Sequence, residues 1–181
     1  VASSVLAAAG PAPLSQAFPT VGVGYHAAGG RHTVHANDRE GAAAATHHLL
    51  AHGHRRIGVI NAMPQITALA RRLEGYRQAL AEQGIPNDPQ LMAWGDFSDT
   101  SGYQAAGQLI ALEPRPTAIF AFNDRMAMGA IRCLREAGLA VPGDIAVVGF
   151  DDIPAAAFFD PPLTTVHQPA QAMGAMATRM L

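Results

Sequence analysis

Short apolar runs alternate with longer amphipathic segments along most of this sequence. The apolar runs have the length and composition of β-strands, and they cover Thr20–Val23, Arg56–Ile60, Leu91–Trp94, Ala118–Phe122 and Ile145–Phe150. The last two are rich in Ile, Val and Phe, a composition typical of parallel strands that are buried on both faces. The pattern therefore predicts a sheet whose strands come one at a time along the chain.

The segments between these runs carry apolar residues at helical spacing. Helices are predicted over Glu40–His52, Leu69–Gln83, Thr100–Leu112 and Arg125–Ala137. The second of them places its apolar side chains on one stripe, formed by Leu69, Leu73, Tyr76 and Leu80. Strands that alternate with helices through short connections predict an α/β fold, with a parallel sheet covered by helices on both faces.

Polar or aromatic residues directly follow the predicted strands. They are Asn61, Asp96-Phe97, Asn123-Asp124 and Asp151-Asp152. Since the carboxyl ends of parallel strands meet at one edge of a sheet, these residues are expected to line a common cleft. Asp124 and Asp152 are interpreted first as helix caps or turn formers, the commonest role of aspartate at such positions. For Asn123 and Asp151, a ligand-facing role and that structural role both stay open.

Composition and charge narrow the class of protein. With 49% hydrophobic residues among 181, the chain can bury a core of ordinary size. A formal net charge of −2 gives no basic surface for nucleic acid. No apolar run reaches the roughly 18 residues of a membrane span. The single cysteine, Cys133, excludes an internal disulfide and fits a reducing compartment, so a cytoplasmic location is expected.

The sequence contains six segments that follow one another along the chain: GHRRIGVI (53–60), RRLEGYRQAL (71–80), GDFSDTSGY (95–103), PTAIFAFNDRMAMGA (116–130), VPGDIAVVGFDDIP (141–154) and PPLTTVHQP (161–169). Together they resemble the successive signatures of the lactose/galactose repressor family of bacterial transcription regulators. The GDF and MAMGA segments are particularly similar to the purine repressor branch. The resemblance implies a fold like that of the periplasmic sugar-binding proteins, with two α/β lobes and an effector cleft between them.

The resemblance also implies a domain organisation of one complete lobe plus part of a second. Residues 1–53 would form the partial DNA-proximal lobe, residues 54–160 the complete C-terminal effector-binding lobe, and residues 161–181 the crossover back to the partial lobe. Thr33–His35 and Leu163–Val166 are then expected to be crossover strands. Operator DNA is expected to be contacted by an N-terminal helix-turn-helix that is missing from this chain, within a homodimer.

Four residues take a ligand-binding role from the resemblance. Arg72 matches the effector-binding arginine, and Asp151 of GFDD matches the acid that accepts hydrogen bonds from effector hydroxyls or ring nitrogens. Phe97 resembles the aromatic platform for the effector ring, and Asn123 supplies one donor and one acceptor. Without the resemblance, Arg72 reads as a solvated helix charge and Phe97 as core. Ile66 stands where the purine repressor has a second binding arginine, so the implied effector is another small polar molecule, such as a sugar or a nucleoside.

Motifs for a dinucleotide, a metal or a catalytic site are weak or missing in the sequence. The string GVGYHA (22–27) fits a dinucleotide-binding turn, but the following AAGGRH does not open a helix. His48 and His52 are spaced as a ligand pair, yet the HExxH glutamate and a third ligand are missing, so no metal is expected. No nucleophile elbow or Walker loop is found and no cofactor is expected. The sequence indicates binding and not catalysis.

The sequence is compatible with two functions of different class. One is the ligand-sensing domain of a transcription regulator, in which an effector in the interlobe cleft allosterically controls operator binding. The alternative is a periplasmic solute-binding receptor of an uptake system, which has a similar fold. The segments VPGDIAVVGFDDIP and PPLTTVHQP resemble the repressors more than the receptors, which favours the regulator.

Overall fold

A computed structural model describes residues 20–24, 32–63 and 66–181 of the chain. The described residues form two compact units, of which the larger comprises Asn37–Gln168. The smaller consists of the described residues before Asn37 together with Pro169–Leu181. Part of the GVGYHA motif and the segment before Thr20 lie outside the described residues.

The elements follow one another in the alternating order that the sequence predicts. In chain order they are β1 Gly22–Val23, β2 Thr33–Val34, α1 Asp38–Ala51, β3 Ile57–Asn61, α2 Thr67–Glu82, β4 Met92–Trp94, α3 Asp99–Ile110, β5 Ala118–Ala121, α4 Asp124–Glu136, β6 Ala146–Asp151, β7 Thr164–His167 and α5 Ala170–Met180. Short 3-10 helices precede β4 at Pro89–Leu91 and follow β6 at Pro154–Phe158.

The larger unit is built on a five-stranded parallel sheet with the strand order β4-β3-β5-β6-β7. The central strands β3 and β5 are buried along their whole length, as their continuous apolar composition predicts. All five strands run in the same direction, so their carboxyl ends meet at one edge of the sheet. We call this edge the carboxyl edge.

Helices cover both faces of this sheet in two closely packed pairs. Along β6, a Cβ added at Gly149 would contact α4, whereas the neighbouring Phe150 ring contacts Gly41 of α1, so the two helices lie on opposite faces. Within each pair a glycine allows the close approach. A Cβ at Gly75 of α2 would lie 2.0 Å from the Arg39 carbonyl oxygen of α1, and one at Gly129 of α4 would lie 1.9 Å from the Asp99 carbonyl oxygen of α3.

The smaller unit pairs β1 with β2 in parallel, Gly22 opposite Thr33. Its buried apolar side chains come from β2 and α5, and they are Val34, Met173 and Ala177. Helix α5 is absent from the elements predicted from the sequence, which assigned residues 161–181 only to a crossover. Among the described residues, no helix is both long and apolar enough to cross a membrane.

The α/β class with parallel sheets flanked by helices is confirmed. The limits of the larger unit differ from the interval 54–160 drawn from the sequence, because α1 packs against Phe150 and β7 pairs with β6. Both therefore belong to Asn37–Gln168. The assignment of the smaller unit to a DNA-proximal lobe stays a prediction.

Candidate ligand-binding site

Arg72 of α2 is a buried cation at the carboxyl edge, with only 5% of its surface exposed. Its Nε donates to Asp38 Oδ1 at 2.9 Å, and its Nη1 donates to the carbonyl oxygen of Phe122. The same Nη1 lies 3.6 Å from Asp151 Oδ1. The guanidinium carbon lies 3.6 Å from the centre of the Phe150 ring. One side chain thus connects the start of α1 with the residues at the ends of β5 and β6.

The burial of Arg72 rules out the reading of this residue as a solvated helix charge. A buried guanidinium persists only when its donors are matched by acceptors, and Asp38, itself 3% exposed, supplies the first of them. Sequence reasoning did not identify Asp38. An acidic residue in the first turn of a helix is already explained by the helix dipole, so nothing in the sequence pointed to a partner 34 residues away.

Asp151 ends β6 with a partly exposed carboxylate. Gln168 Nε2 donates to its Oδ1 at 2.5 Å. Burial raises the pKa of Asp151 to about 6, aided by the nearby charges of Asp124 and Asp38 and opposed by Arg72 and the Gln168 hydrogen bond. The charged form of this carboxylate is therefore incompletely stabilised by the protein, and an additional hydrogen-bond donor from a ligand would favour it.

Asn123 is buried and serves as the N-cap of α4, where its Oδ1 accepts from the Met126 amide at 2.9 Å. Its Nδ2 donates to the Phe97 carbonyl oxygen at 3.1 Å. Phe97 has a φ of 73° and packs against the core with part of its ring surface. Asn123 therefore fixes the loop that presents Phe97, and both of its polar groups are engaged within the protein.

The cap interpretation of Asp124 was wrong. Asn123 has the extended backbone of a cap residue, whereas Asp124 is the first helical residue and its side chain contacts the end of the sheet. Asp124 accepts from the Ile153 amide at 2.8 Å and from the Thr165 hydroxyl. Asp152 does take the turn role, with a φ of 57° and a contact of 2.8 Å to His167 Nδ1.

The contacts run continuously across the carboxyl edge. Phe97 is joined to Asn123 by a hydrogen bond, and the carbonyl of the preceding residue, Phe122, is joined to Arg72, which faces Asp151. The edge thus brings a cation and an acceptor together at Arg72 and Asp151, and Asn123 connects the Phe97 backbone to the same edge. The His, Cys, Asp and Glu side chains of the described residues form no group of three that could hold a metal ion.

Comparison with known proteins places this chain in a family. The periplasmic binding protein-like domain matches residues 46–181. The HTH-type transcriptional repressor PurR of Photobacterium profundum is 43% identical over 145 residues, which cover 80% of this chain and 43% of PurR. Its counterpart from Aliivibrio salmonicida is 38% identical over 145 residues, covering 80% of this chain and 44% of that repressor.

Solved structures agree with the sequence comparisons. The cellobiose complex of the transcriptional regulator CelR is 40% identical with a TM-score of 0.80, covering 82% of this chain and 46% of CelR. A LacI-family regulator from Enterococcus faecium with bound ribose is 30% identical with a TM-score of 0.85, covering 92% of this chain and 62% of that chain.

The chain belongs to the periplasmic binding protein-like domain family, in the form that LacI-family regulators carry as their effector-binding region. The resemblance carried by the six sequence segments is confirmed. The chain spans less than half the length of the curated relatives it matches, 43% in the case of the Photobacterium repressor.

Proposed function

We propose that this chain senses a small polar effector for a transcription regulator, and that Arg72, Phe97, Asn123 and Asp151 form the binding site at the carboxyl edge. Effector binding would control operator recognition by a helix-turn-helix domain of the full regulator. The regulator would act in the cytoplasm as a homodimer. The chain would bind its effector and catalyse no reaction on it.

The approach of Arg72 to Asp151 carries this proposal. The 3.6 Å separation of Nη1 and Oδ1 is too long for a good hydrogen bond but short enough for strong charge attraction. The Arg72 side chain is 7% exposed and that of Asp151 is 28% exposed, so the acid presents a reachable acceptor beside a fixed cation. A ligand hydroxyl could donate to this carboxylate without displacing the Asp38 partner of Arg72.

The chemistry of the edge favours a polyhydroxylated effector. CelR binds cellobiose and the Enterococcus regulator binds ribose, and both ligands offer hydroxyl groups around a ring. Phe97 supplies a ring face against which an apolar sugar face or a base can pack. Ile66, partly packed against the core, adds no donor where the purine repressor branch has an arginine. We therefore expect a sugar or a nucleoside in preference to a free purine base.

Control of DNA binding requires two arrangements of the regulator with different affinity for the effector. The effector shifts the population toward the arrangement that it binds more tightly. The coupling is reciprocal, so operator DNA must change effector affinity by the same factor. A periplasmic receptor function is not favoured, because the similar proteins described above are transcription regulators.

A ligand panel tests the proposal. The chain is titrated calorimetrically with cellobiose, D-ribose, adenosine, guanosine and hypoxanthine, and the full-length regulator is assayed for operator binding with each compound. We expect at least one sugar or nucleoside to bind and to change operator affinity. Binding of hypoxanthine alone would contradict the effector class. A bound compound that leaves operator affinity unchanged would contradict the sensing role.

A further inference from the structure

The backbone that carries Asp151 adopts a conformation that residues other than glycine rarely take. Asp151 has a φ of 121° and Asp152 a φ of 57°. Two consecutive left-handed residues with side chains are strained, and they persist only where surrounding contacts hold them. The contacts that hold this turn therefore help to determine where the Asp151 carboxylate lies.

Asp124 of α4 makes these contacts from within the protein, where it is fully buried. Its Oδ2 accepts from the Ile153 amide at 2.8 Å, directly after the strained turn. Its Oδ1 accepts from the Thr165 hydroxyl of β7, and the oxygen of that hydroxyl lies 3.4 Å from the Asp152 amide nitrogen. One carboxylate thus binds the turn both directly and through the neighbouring strand.

Strand β6 has a glycine at the position where the Asp124 carboxylate packs against it. A Cβ added at Gly149 of β6 would lie 2.3 Å from Asp124 Oδ1, which is closer than any such contact allows. The glycine at this position leaves the space that the Asp124 side chain occupies. The contact is therefore specified by two elements, the first turn of α4 and the middle of β6.

Asp99 occupies in α3 the position that Asp124 occupies in α4, and it serves as the comparison for Asp124. It is the first residue of α3, as Asp124 is of α4, but its side chain is 47% exposed and pairs with Arg125 at 3.0 Å. Both acids lie at a favourable end of a helix dipole. Of the two, Asp124 alone is withdrawn from solvent, and burial raises its pKa, so its position has a cost that the contacts with Ile153 and Thr165 offset.

We propose that Asp124, acting with Thr165, is the positioning residue of the binding site: its two carboxylate oxygens lock the Asp151-Asp152 turn and thereby hold the Asp151 carboxylate facing Arg72. The functional meaning of this lock rests on the proposed role of Asp151 in effector binding. Asp124 itself is buried and need not touch the effector.

The test uses nuclear magnetic resonance on the ligand-free 181-residue chain. It compares Asp124→Ala, Asp124→Asn and Thr165→Val with the matched control Asp99→Ala. We measure amide exchange of Ile153, the backbone coupling that reports φ of Asp152, and the carboxyl carbon titration of Asp151. Asp124→Ala should speed Ile153 exchange about tenfold, the effect of losing one buried charged hydrogen bond. Because the Asp124 charge itself helps to raise the pKa of Asp151, the Asp151 titration is compared between the wild type and Thr165→Val, which removes no charge and should shift it. Asp124→Asn keeps an oxygen acceptor and should restore most of the protection.

Asp99→Ala should leave all three observables unchanged. The proposal is overturned if Asp124→Ala leaves the Ile153 exchange at its wild-type value, or if Thr165→Val leaves the Asp151 titration at its wild-type value. If Asp124→Ala does not fold, Thr165→Val, which removes only the hydroxyl from the lock, decides the question alone. These measurements need no effector, so failure to find one would count against the proposed function and not against the lock.

Discussion

Two arginine–aspartate pairs lie at opposite edges of the larger sheet, and they behave differently. At the amino edge, Arg56 Nη1 lies 2.9 Å from Asp88 Oδ2, with side chains 27% and 31% exposed. At the carboxyl edge, Arg72 Nη1 lies 3.6 Å from Asp151 Oδ1, with the arginine side chain only 7% exposed. The backbone amide of Gln90 and Arg56 lower the pKa of Asp88, whereas burial raises that of Asp151 despite its arginine.

The difference shows that the closer ion pair is the one whose carboxylate charge the protein stabilises, and that the longer pair is the one that leaves its charge in need of a further donor. In the shorter pair, hydrogen bonds from Arg56 and from the Gln90 amide stabilise the charged form of Asp88. This pair therefore has a structural explanation. The longer pair leaves the Asp151 charge incompletely stabilised in a partly buried place, which a ligand donor can improve. Two predictions test this contrast and a third tests the aromatic ring at the carboxyl edge, in order of decreasing effect.

Removal of the buried arginine should have the largest effect. Arg72→Ala leaves Asp38 buried without its cation, and breaking a buried pair in this way costs about 3–5 kcal/mol. We expect a fall of that size in the free energy of unfolding, measured by urea denaturation at neutral pH. Arg56→Ala, the matched change at the amino edge, should cost far less because water can solvate Asp88. Equal losses in the two variants would remove the distinction between the pairs.

The pH dependence of stability should have opposite signs at the two carboxylates. Between the ordinary pKa of 3.8 and about 6, folded Asp151 holds a proton that the unfolded chain has lost, so its contribution to stability falls as pH rises through this interval. The shift corresponds to an effect on the order of 2–3 kcal/mol. Asp88, whose folded pKa is lowered, contributes stability that is lost as pH falls below 3.8.

Denaturation of Asp151→Asn at a series of pH values checks this prediction. Asp124 has a raised pKa of the same sign, so the informative quantity is the difference between this variant and the wild type. Asp151→Asn should flatten the decline between about pH 4 and about pH 6. A wild-type slope in the variant would mean that Asp151 titrates at its ordinary value.

Loss of the aromatic ring should have the smallest effect of the three. Phe97→Ala should weaken binding of a sugar or nucleoside by roughly 1 kcal/mol, about fivefold, because one stacking surface is lost. The control is Phe158→Ala, since Phe158 is 89% exposed and lies after β6 in a short 3-10 helix. Calorimetric titration compares the two variants. An equal loss in both, or none in Phe97→Ala, would exclude Phe97 from the site.

Most of the fold could be predicted from local sequence patterns. The fully buried strands β3 and β5 read as continuous apolar runs, and their observed limits, Ile57–Asn61 and Ala118–Ala121, differ from the predicted ones by at most one residue at either end. Helix limits such as Thr67–Glu82 follow from an apolar stripe and a glycine just beyond the end. Helix α5 was missed because the sequence at residues 161–181 was read only as a crossover.

The candidate site could be predicted only in part. The rule that ligands bind at strand carboxyl ends identified Phe97, Asn123 and Asp151 as candidates. The family resemblance added Arg72 and gave Phe97 its role as a platform for the effector ring. Neither signal could reveal Asp38 as the partner of Arg72, since the two are brought together by the packing of α1 on α2. Nor could the sequence show which residue of the pair Asn123-Asp124 caps the helix. Both residue types are good caps, and the choice depends on which of the two has the extended backbone of a cap residue.

The most direct test of the account compares effector affinity in Asp151→Asn and Asp88→Asn. Both variants replace the aspartate of an arginine pair with its neutral isostere. The titrant is whichever of cellobiose, D-ribose, adenosine or guanosine the wild type binds, and the pH is held above the pKa of Asp151. Loss of a charged hydrogen bond should weaken binding to Asp151→Asn at least about tenfold, with Asp88→Asn unchanged. Wild-type affinity in Asp151→Asn would contradict the placement of the effector beside Arg72 and Asp151.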